Sequence, residues 1–299
     1  MVIVDELVYL EDGEVNALVT FDVTFYLTDV AGKEEALIEA YDLVIARLRP
    51  AIRWYKTERM TQFLPITPAA LQAYPTWFGR KLAARTEYGL ELTSGRTRDE
   101  VGRGGFRFFI APTALERAAG YFQFYVPASY SRDNPDALVM LVRAIADVLP
   151  FRSGHAGYGV AYDEGTAPKR RDAKLRAWCN RYEGLDCSSL PAIREHVVES
   201  IKGVNWITLL DQELCDRVGG IEKLLIDLSA PISVTALRSG CLIRAGVTPA
   251  LGDRNRREKL TAYRQVNDAL KAVRMEGDWS TGWWDVDEAQ EWVRRFDTR

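Results

Sequence analysis

Positive charge is not in excess in this sequence: 39 Lys and Arg stand against 42 Asp and Glu, a formal net charge of -3. A dedicated nucleic-acid binder carries a basic surplus, so direct nucleic-acid binding is not expected. Histidine is scarce. His155 and His196 are the only two in 299 residues, and neither has a ligand at motif spacing, so no metal site is expected. Cys179, Cys187, Cys215 and Cys241 show no CxxC spacing. Four cysteines in a chain this long do not make a disulfide scaffold, and they read as reduced, partly buried thiols. No run approaches the ~18 apolar residues of a membrane span. The opening MVIVDELVYLEDGEV has no basic n-region and no long apolar h-region, so a secretory signal is not expected and cytoplasm is the default compartment. GxGxxG, Walker A, GxSxG and HExxH are all missing, and with them any signal for a cofactor.

What is present is a foldable chain with 47% hydrophobic and 11% aromatic residues. That composition excludes disorder, and the length allows roughly three quarters of the unfolded surface to be buried. The charge is unevenly placed. Residues 1–50 hold 11 acids and three bases, a net of -8, and the remaining 249 residues carry +5. Asp5, Glu6, Glu11, Asp12 and Glu14 crowd the start. Solvated helix and hairpin faces are one account; a field that steers a basic partner is the other.

Hydrophobic periodicity predicts strands at 15–27, 86–94, 105–111, 121–129, 154–162, 223–229 and 240–246. Helices are predicted over 33–49, over 67–83 with a break at Pro75, over 131–149, over 167–182, from Pro191 to Ile201, over 207–220, over 259–274 and over 288–295. Consecutive strands between helices argue for an α+β fold with mixed, mostly antiparallel sheets flanked by helices. One compact body with two lobes is expected, divided near Pro150 into an acidic N-terminal lobe (1–150) and a C-terminal lobe (151–299).

No catalytic constellation stands out. Gly102-Arg103-Gly104-Gly105 could cradle a phosphate, but it precedes a strand, which fits a flexible hairpin connection better. Ser153 and His155 would share one face of a strand, as a nucleophile and base require, yet no third orienting group is visible. The competing account is that Gly154, Gly157 and Gly159 let a helix approach the sheet, with Tyr158 packed between. Trp54-Tyr55, Tyr74/Trp77/Phe78 and Trp283-Trp284 could stack bases or anchor a protein partner. Adjacent Trp283 and Trp284 point in different directions, so at least one is expected at the surface. Arg254, Arg256, Arg257 and Lys259 form the densest basic cluster, tempered by Asp253 and Glu258.

Three segments carry a family resemblance. Gly203-Val204-Asn205-Trp206-Ile207-Thr208 with Gly219-Gly220 is similar to a G-x-N-W-L-T … L-G-G pattern. Leu251-Gly252-Asp253-Arg254-Asn255-Arg256 with Tyr263-Arg264 is similar to L-G-D-x-N-R … Y-R, and Ser153 through Gly157, Tyr158 and Gly159 to a small-residue S-x-x-A-G-Y strand. With the strand–helix opening at 20–49, the chain resembles the TsiV-type family of type VI secretion immunity proteins. That resemblance implies a non-enzymatic protein that binds a cognate secreted effector toxin, encoded by an adjacent gene, and occludes its active or substrate-binding surface. A nuclease is the implied toxin. The shared motif residues then serve the fold: Gly203, Gly219 and Gly220 in turns, Trp206 in the core, Asp253 and Asn255 in loop hydrogen bonds. Contact residues do not transfer between such proteins, so the interface is expected in the less patterned parts: the acidic front (Asp5, Glu6, Glu11, Asp12, Glu14) and the Trp283-Trp284 tail. The alternatives are a small enzyme using Ser153 and His155, and a scaffold using the Trp-rich tail.

Overall fold

The stretch from Glu14 to Leu27 is β-branched and aromatic, and its residues alternate in character: Phe21, Val23 and Phe25 interleave with Thr20, Asp22 and Thr24. Period-2 alternation sends these two sets to opposite faces of a sheet. In the computed structural model, which describes residues 4–28, 30–73, 87–110, 118–163, 169–281 and 283–297, this segment is the long strand β2 (Glu14–Leu27). Around it lie β1 (Val8–Glu11), β3 (Trp54–Thr57), β4 (Leu64–Pro65), β5 (Tyr88–Thr93), β6 (Gly105–Ile110), β7 (Gly120–Pro127), β8 (Ser153–Tyr162), β9 (Ile207–Asp211), β10 (Ile232–Leu237) and β11 (Gly240–Ala245). They form one 11-stranded sheet in the order β10-β11-β9-β8-β2-β7-β6-β5-β3-β4, with β1 added to β2. Every ladder is antiparallel. β2 pairs with β7 on one side and β8 on the other, so strands from before and after Pro150 share the sheet.

The helices are α1 (Glu34–Leu48), α2 (Ala128–Asp133), α3 (Pro135–Val148), α4 (Lys169–Arg181), α5 (Leu190–Ile193), α6 (Gln212–Arg217), α7 (Gly220–Asp227), α8 (Thr261–Leu270) and α9 (Val286–Val293). One face of the sheet is apolar. Phe25, Phe106, Phe108 and Phe122 meet there edge to face, and Tyr41 of α1 packs on Phe106 with centroids 5.4 Å apart. Each fully buried side chain of this size is worth roughly 1.5–3 kcal/mol. α3 packs beside α1.

Several elements differ from the sequence reading. The single helix over 131–149 is two: Pro135 has no N–H to donate and pushes Asn134 out of helical geometry (φ -138°, ψ 52°), so α2 ends and α3 begins there. The helix expected over 207–220 is a strand followed by a helix. β9 supplies Ile207–Asp211, and Asp211 caps α6 by accepting from the Leu214 N–H at 2.8 Å. The strand expected at 223–229 is α7, a short apolar run whose periodicity fits either state. Gly219 (φ +100°) and Gly220 (φ +84°) take the left-handed backbone that turns α6 into α7. Of the helix expected from Pro191 to Ile201, only the short α5 is α-helical. Thr67 does cap a helix start, accepting from the Ala70 N–H at 3.1 Å, but Pro75 and the Tyr74/Trp77/Phe78 group lie outside the described residues. Cys179 and Cys187 are corrected from free thiols to a disulfide. The end of α4 and the loop after it bring their Cα atoms to 6.1 Å, within bridging range. Cys215 and Cys241 are free and buried.

Candidate functional site

The other face of the sheet carries a polar stripe. Directly paired residues of an antiparallel sheet point to the same side. The register aligns Lys56, Glu91, Arg107, Gln123, Thr24, His155 and Thr208 in one row across β3, β5, β6, β7, β2, β8 and β9. Asp22 sits one pleat along on the same face, opposite Tyr125 and Gly157.

One end of the stripe is covered. His155 and Thr208 lie beneath the segment 186–205, which folds over β8 and β9. Lys202 there is 2% exposed and is ion-paired with Asp186, and its Nζ is 2.8 Å from His155 Nε2. Asp186 also accepts from Asn205 Nδ2 at 2.8 Å and from Ser188 Oγ at 2.7 Å. Burial, with the nearby Lys202 charge, holds the His155 pKa well below its ordinary value, so the ring is neutral. Burial likewise pushes the Lys202 ammonium down, and the Asp22 charge pulls it back up. Asp22 takes hydrogen bonds from Thr24 Oγ1 at 2.8 Å and from Gln123 Nε2. Desolvation raises its carboxyl from 3.8 to about 6, against the lowering effect of Lys202 and those hydrogen bonds.

The opposite end is open. A cleft of about 1110 Å³ lies over it, with Asp22, Lys56, Glu91, Arg107 and Gln123 on the floor and the β1–β2 hairpin, residues 98–101 and the end of β8 as walls. Eight carboxylates (Glu11, Asp12, Glu14, Asp22, Glu91, Asp99, Glu100, Asp163) line it against three cations (Lys56, Arg98, Arg107). Glu91 lies 3.5 Å from Lys56 and 3.7 Å from Arg107. Hydrogen bonds from Arg96 hold the Glu100 carboxyl below its usual range. The glycine loop 102–105 beside the cleft is pinned. Gly102 N donates to Thr93 Oγ1 at 3.2 Å and Gly104 N to Ser94 Oγ at 2.9 Å, and a Cβ on Gly105 would meet the Tyr125 hydroxyl at 2.4 Å. It is a packed connection and not the flexible one expected.

The sequence candidates fall in different places. Glu11, Asp12 and Glu14 are cleft walls, on the hairpin that Asp12 and Gly13 turn with positive φ. Asp5 and Glu6 are not among the cleft residues. Asp5 accepts from the Ser129 N–H at 3.2 Å and lies 3.9 Å from Arg103, and Glu6 is exposed. Trp283 and Trp284 are 7% and 3% exposed, which overturns the expectation of a surface ring. Trp283 packs edge-on against Tyr162 at 4.9 Å, and Trp284 against Trp292 at 5.5 Å. Ser153 and His155 are both buried and engaged separately: the Ser153 hydroxyl donates to the Ser200 carbonyl at 3.3 Å, while His155 faces Lys202, Asp186 and Asp22. What Gly157 admits is the segment around Asn205 and not a helix, while Gly154 lies against Thr24 and Leu209 and Gly159 against Asp22. A Cβ on Gly157 would sit 3.4 Å from the Asn205 Cβ and 3.5 Å from the Trp206 nitrogen. Tyr158 packs edge-on against Phe21.

The remaining motif residues serve that covering segment and the loop behind it. Trp206 is fully buried and meets Phe21 at 5.7 Å. Asp253 is bridged by Arg181 at 2.7 Å, accepts from the Asn255 N–H at 2.9 Å, and has Arg256 at 3.7 Å. Gly252 precedes it with φ +65°, and the Tyr263 hydroxyl accepts from the Ala250 N–H at 3.2 Å. Among the described residues, no helix is long and apolar enough to cross a membrane, and no group of His, Cys, Asp and Glu is placed to hold a metal.

The residues that sequence reasoning missed are Asp22, Gln123, Glu91, Arg107, Lys56, Asp186 and Lys202. A signal for Asp22 existed: it is the one charged position inside the apolar-rich run Val15–Leu27.

Both the fold and the sequence have counterparts among known proteins. The fold is that of a type VI secretion (T6SS) protein from Pseudomonas aeruginosa, PA0821, with a TM-score of 0.82 at 21% identity over 98% of this chain and 88% of that one. No curated protein sequence matches the chain. Residues 36–296 match the family TsiV, described as "Type VI immunity for VRR-NUC". The chain belongs to that family of immunity proteins, which neutralise type VI effectors of the VRR-NUC kind.

Proposed function

We propose that this immunity protein acts by stoichiometric binding in the cytoplasm, that its partner is the VRR-NUC effector encoded beside it, and that the acidic cleft is the surface the effector meets. The observation that carries this reading is the cleft itself: eight carboxylates against three cations around about 1110 Å³ on the uncovered face of the sheet. A nuclease presents a basic groove to its substrate. An acidic cleft complements that groove, speeds encounter and excludes nucleic acid by occupying the same ground. The site residues support binding over turnover, because Ser153 and His155 are committed to separate buried partners.

The test separates the two parts of the acidic front. Glu11→Lys, Asp12→Lys and Glu14→Lys together reverse a cleft wall, whereas Asp5→Lys with Glu6→Lys leaves the cleft unchanged. The cleft triple is expected to weaken capture of the co-expressed effector at least tenfold at low salt and to abolish protection, with the loss mostly in association rate. The Asp5/Glu6 pair is expected to protect like wild type. Full protection by a folded cleft triple would overturn the reading.

A further inference from the structure

Two side-chain acceptors among the cleft residues have no hydrogen-bond partner among the described residues. Gln123 is 9% exposed, and while its Nε2 donates to Asp22, its Oε1 has no partner among the described residues. Asn16, farther along β2 in the same cleft, likewise holds an unpartnered Oδ1. The native cations of the floor do not fill this need. Lys56 and Arg107 are directed to Glu91, at 3.5 and 3.7 Å. Buried carbonyl acceptors are normally satisfied, so unpartnered acceptors on residues that line an acidic cleft describe the guest: a small side-chain shift would let it supply donors and positive charge.

The neighbours of Gln123 narrow the choice. Asp22, 8% exposed and opposite Tyr125 in the register, accepts one hydrogen bond on each oxygen, and each oxygen has a second lone pair. Tyr125, also 8% exposed and lining the cleft, supplies an aromatic surface next to these acceptors. Two acceptor groups on adjacent strands beside an aromatic ring suit the planar, forked donor set of a guanidinium better than the point charge of an ammonium. We propose that the cleft floor is an anchor site for one arginine side chain of the effector, its guanidinium donating to Gln123 Oε1 and Asp22 and lying along Tyr125. This rests on the cleft being the effector-binding surface.

The experiment has two arms. In the first, N-acetyl-arginine amide and N-acetyl-lysine amide are titrated separately into the full-length wild-type protein. The Gln123 side-chain amide resonance, assigned by its loss in Gln123→Met, reports binding. The arginine probe is expected to give a saturable shift, and the lysine probe less than a tenth of it at the same concentration. No saturable shift, or equal shifts, would overturn the anchor whether or not the variant folds. In the second arm, effector affinity is measured for Gln123→Met after its melting curve shows a folded protein, and a loss of at least tenfold is expected. Wild-type affinity in Gln123→Met, with the Glu11/Asp12/Glu14 reversal still weakening binding, would overturn the anchor and keep the cleft. Wild-type affinity in both would overturn both.

Discussion

The two ends of the polar stripe contain the same chemistry in opposite settings. Each has a lysine facing a carboxylate: Lys56 with Glu91 at one end, Lys202 with Asp186 at the other. The first pair is about one third exposed on both sides, and the second is 2% and 7% exposed. The covered end is roofed by the segment 186–205, where Lys202, Asp186, Asn205 and Ser188 engage one another or His155. The open end keeps its carboxylates around a cleft. One row of side chains thus becomes structural where the chain folds over it and remains available for recognition where it does not. The family-patterned segments lie on the roofed side, so under the proposal that the open cleft is the interface, motif residues are poor guides to it.

The comparison breaks most readily at its covered end. Asp186→Ala removes the carboxylate paired with Lys202, leaving it only the attraction of Asp22, and removes the acceptor shared by Asn205 and Ser188. Removing one partner of a buried ion pair costs about 3–5 kcal/mol. Urea unfolding should show that loss, and a change below about 1 kcal/mol would mean that water already reaches the pair.

Asp22, at the junction of the two ends, gives a smaller and pH-dependent effect. Its folded carboxyl is raised to about 6 from 3.8. The native state therefore holds this proton more tightly than the unfolded chain, and stability contributed by the group falls as pH rises from about 4 through 6. Asp22→Asn removes that titration. Wild type should lose stability relative to Asp22→Asn across that window, by up to about 3 kcal/mol if the whole shift is expressed. A stability difference that stays flat from pH 4 to 7 would show that Asp22 is ionised throughout and belongs with the exposed carboxylates of the open end.

Much of the architecture could be read in the sequence because it is written in local pattern. β2, α1, β5, β6, β7 and β8 follow from alternation, 3.6 periodicity and the stop at Pro50. Where it failed, as at β9 and α7, the elements are only five and eight residues long, their few apolar residues satisfy both periods, and the packing neighbours decide. The site was less legible. Glu11, Asp12 and Glu14 are visible as an acidic cluster, but the floor is assembled by register from five strands as far apart as Asp22 and Gln123, a relation no local pattern encodes. Trp283 and Trp284 misled for the reverse reason: adjacency on the chain suggested exposure, while Tyr162 and Trp292 close over both rings.

The finest test of the comparison is the counterpart of Asp186→Ala at the open end. Lys56→Ala removes the cation from an ion pair of 3.5 Å between half-buried groups. Water screens such a pair, and its net worth is about 0–1 kcal/mol. Glu91 also retains Arg107 at 3.7 Å, so its carboxylate is not abandoned. Unfolding of Lys56→Ala should therefore differ from wild type by less than about 1 kcal/mol. The cleft meanwhile becomes one charge more negative, so effector association should quicken at low salt and converge on wild type as salt is added. A large loss of stability would show that the open end is also part of the structural core. Slower association would show that Lys56 itself meets the partner, and the open end would then be a mixed-charge surface and not an acidic one.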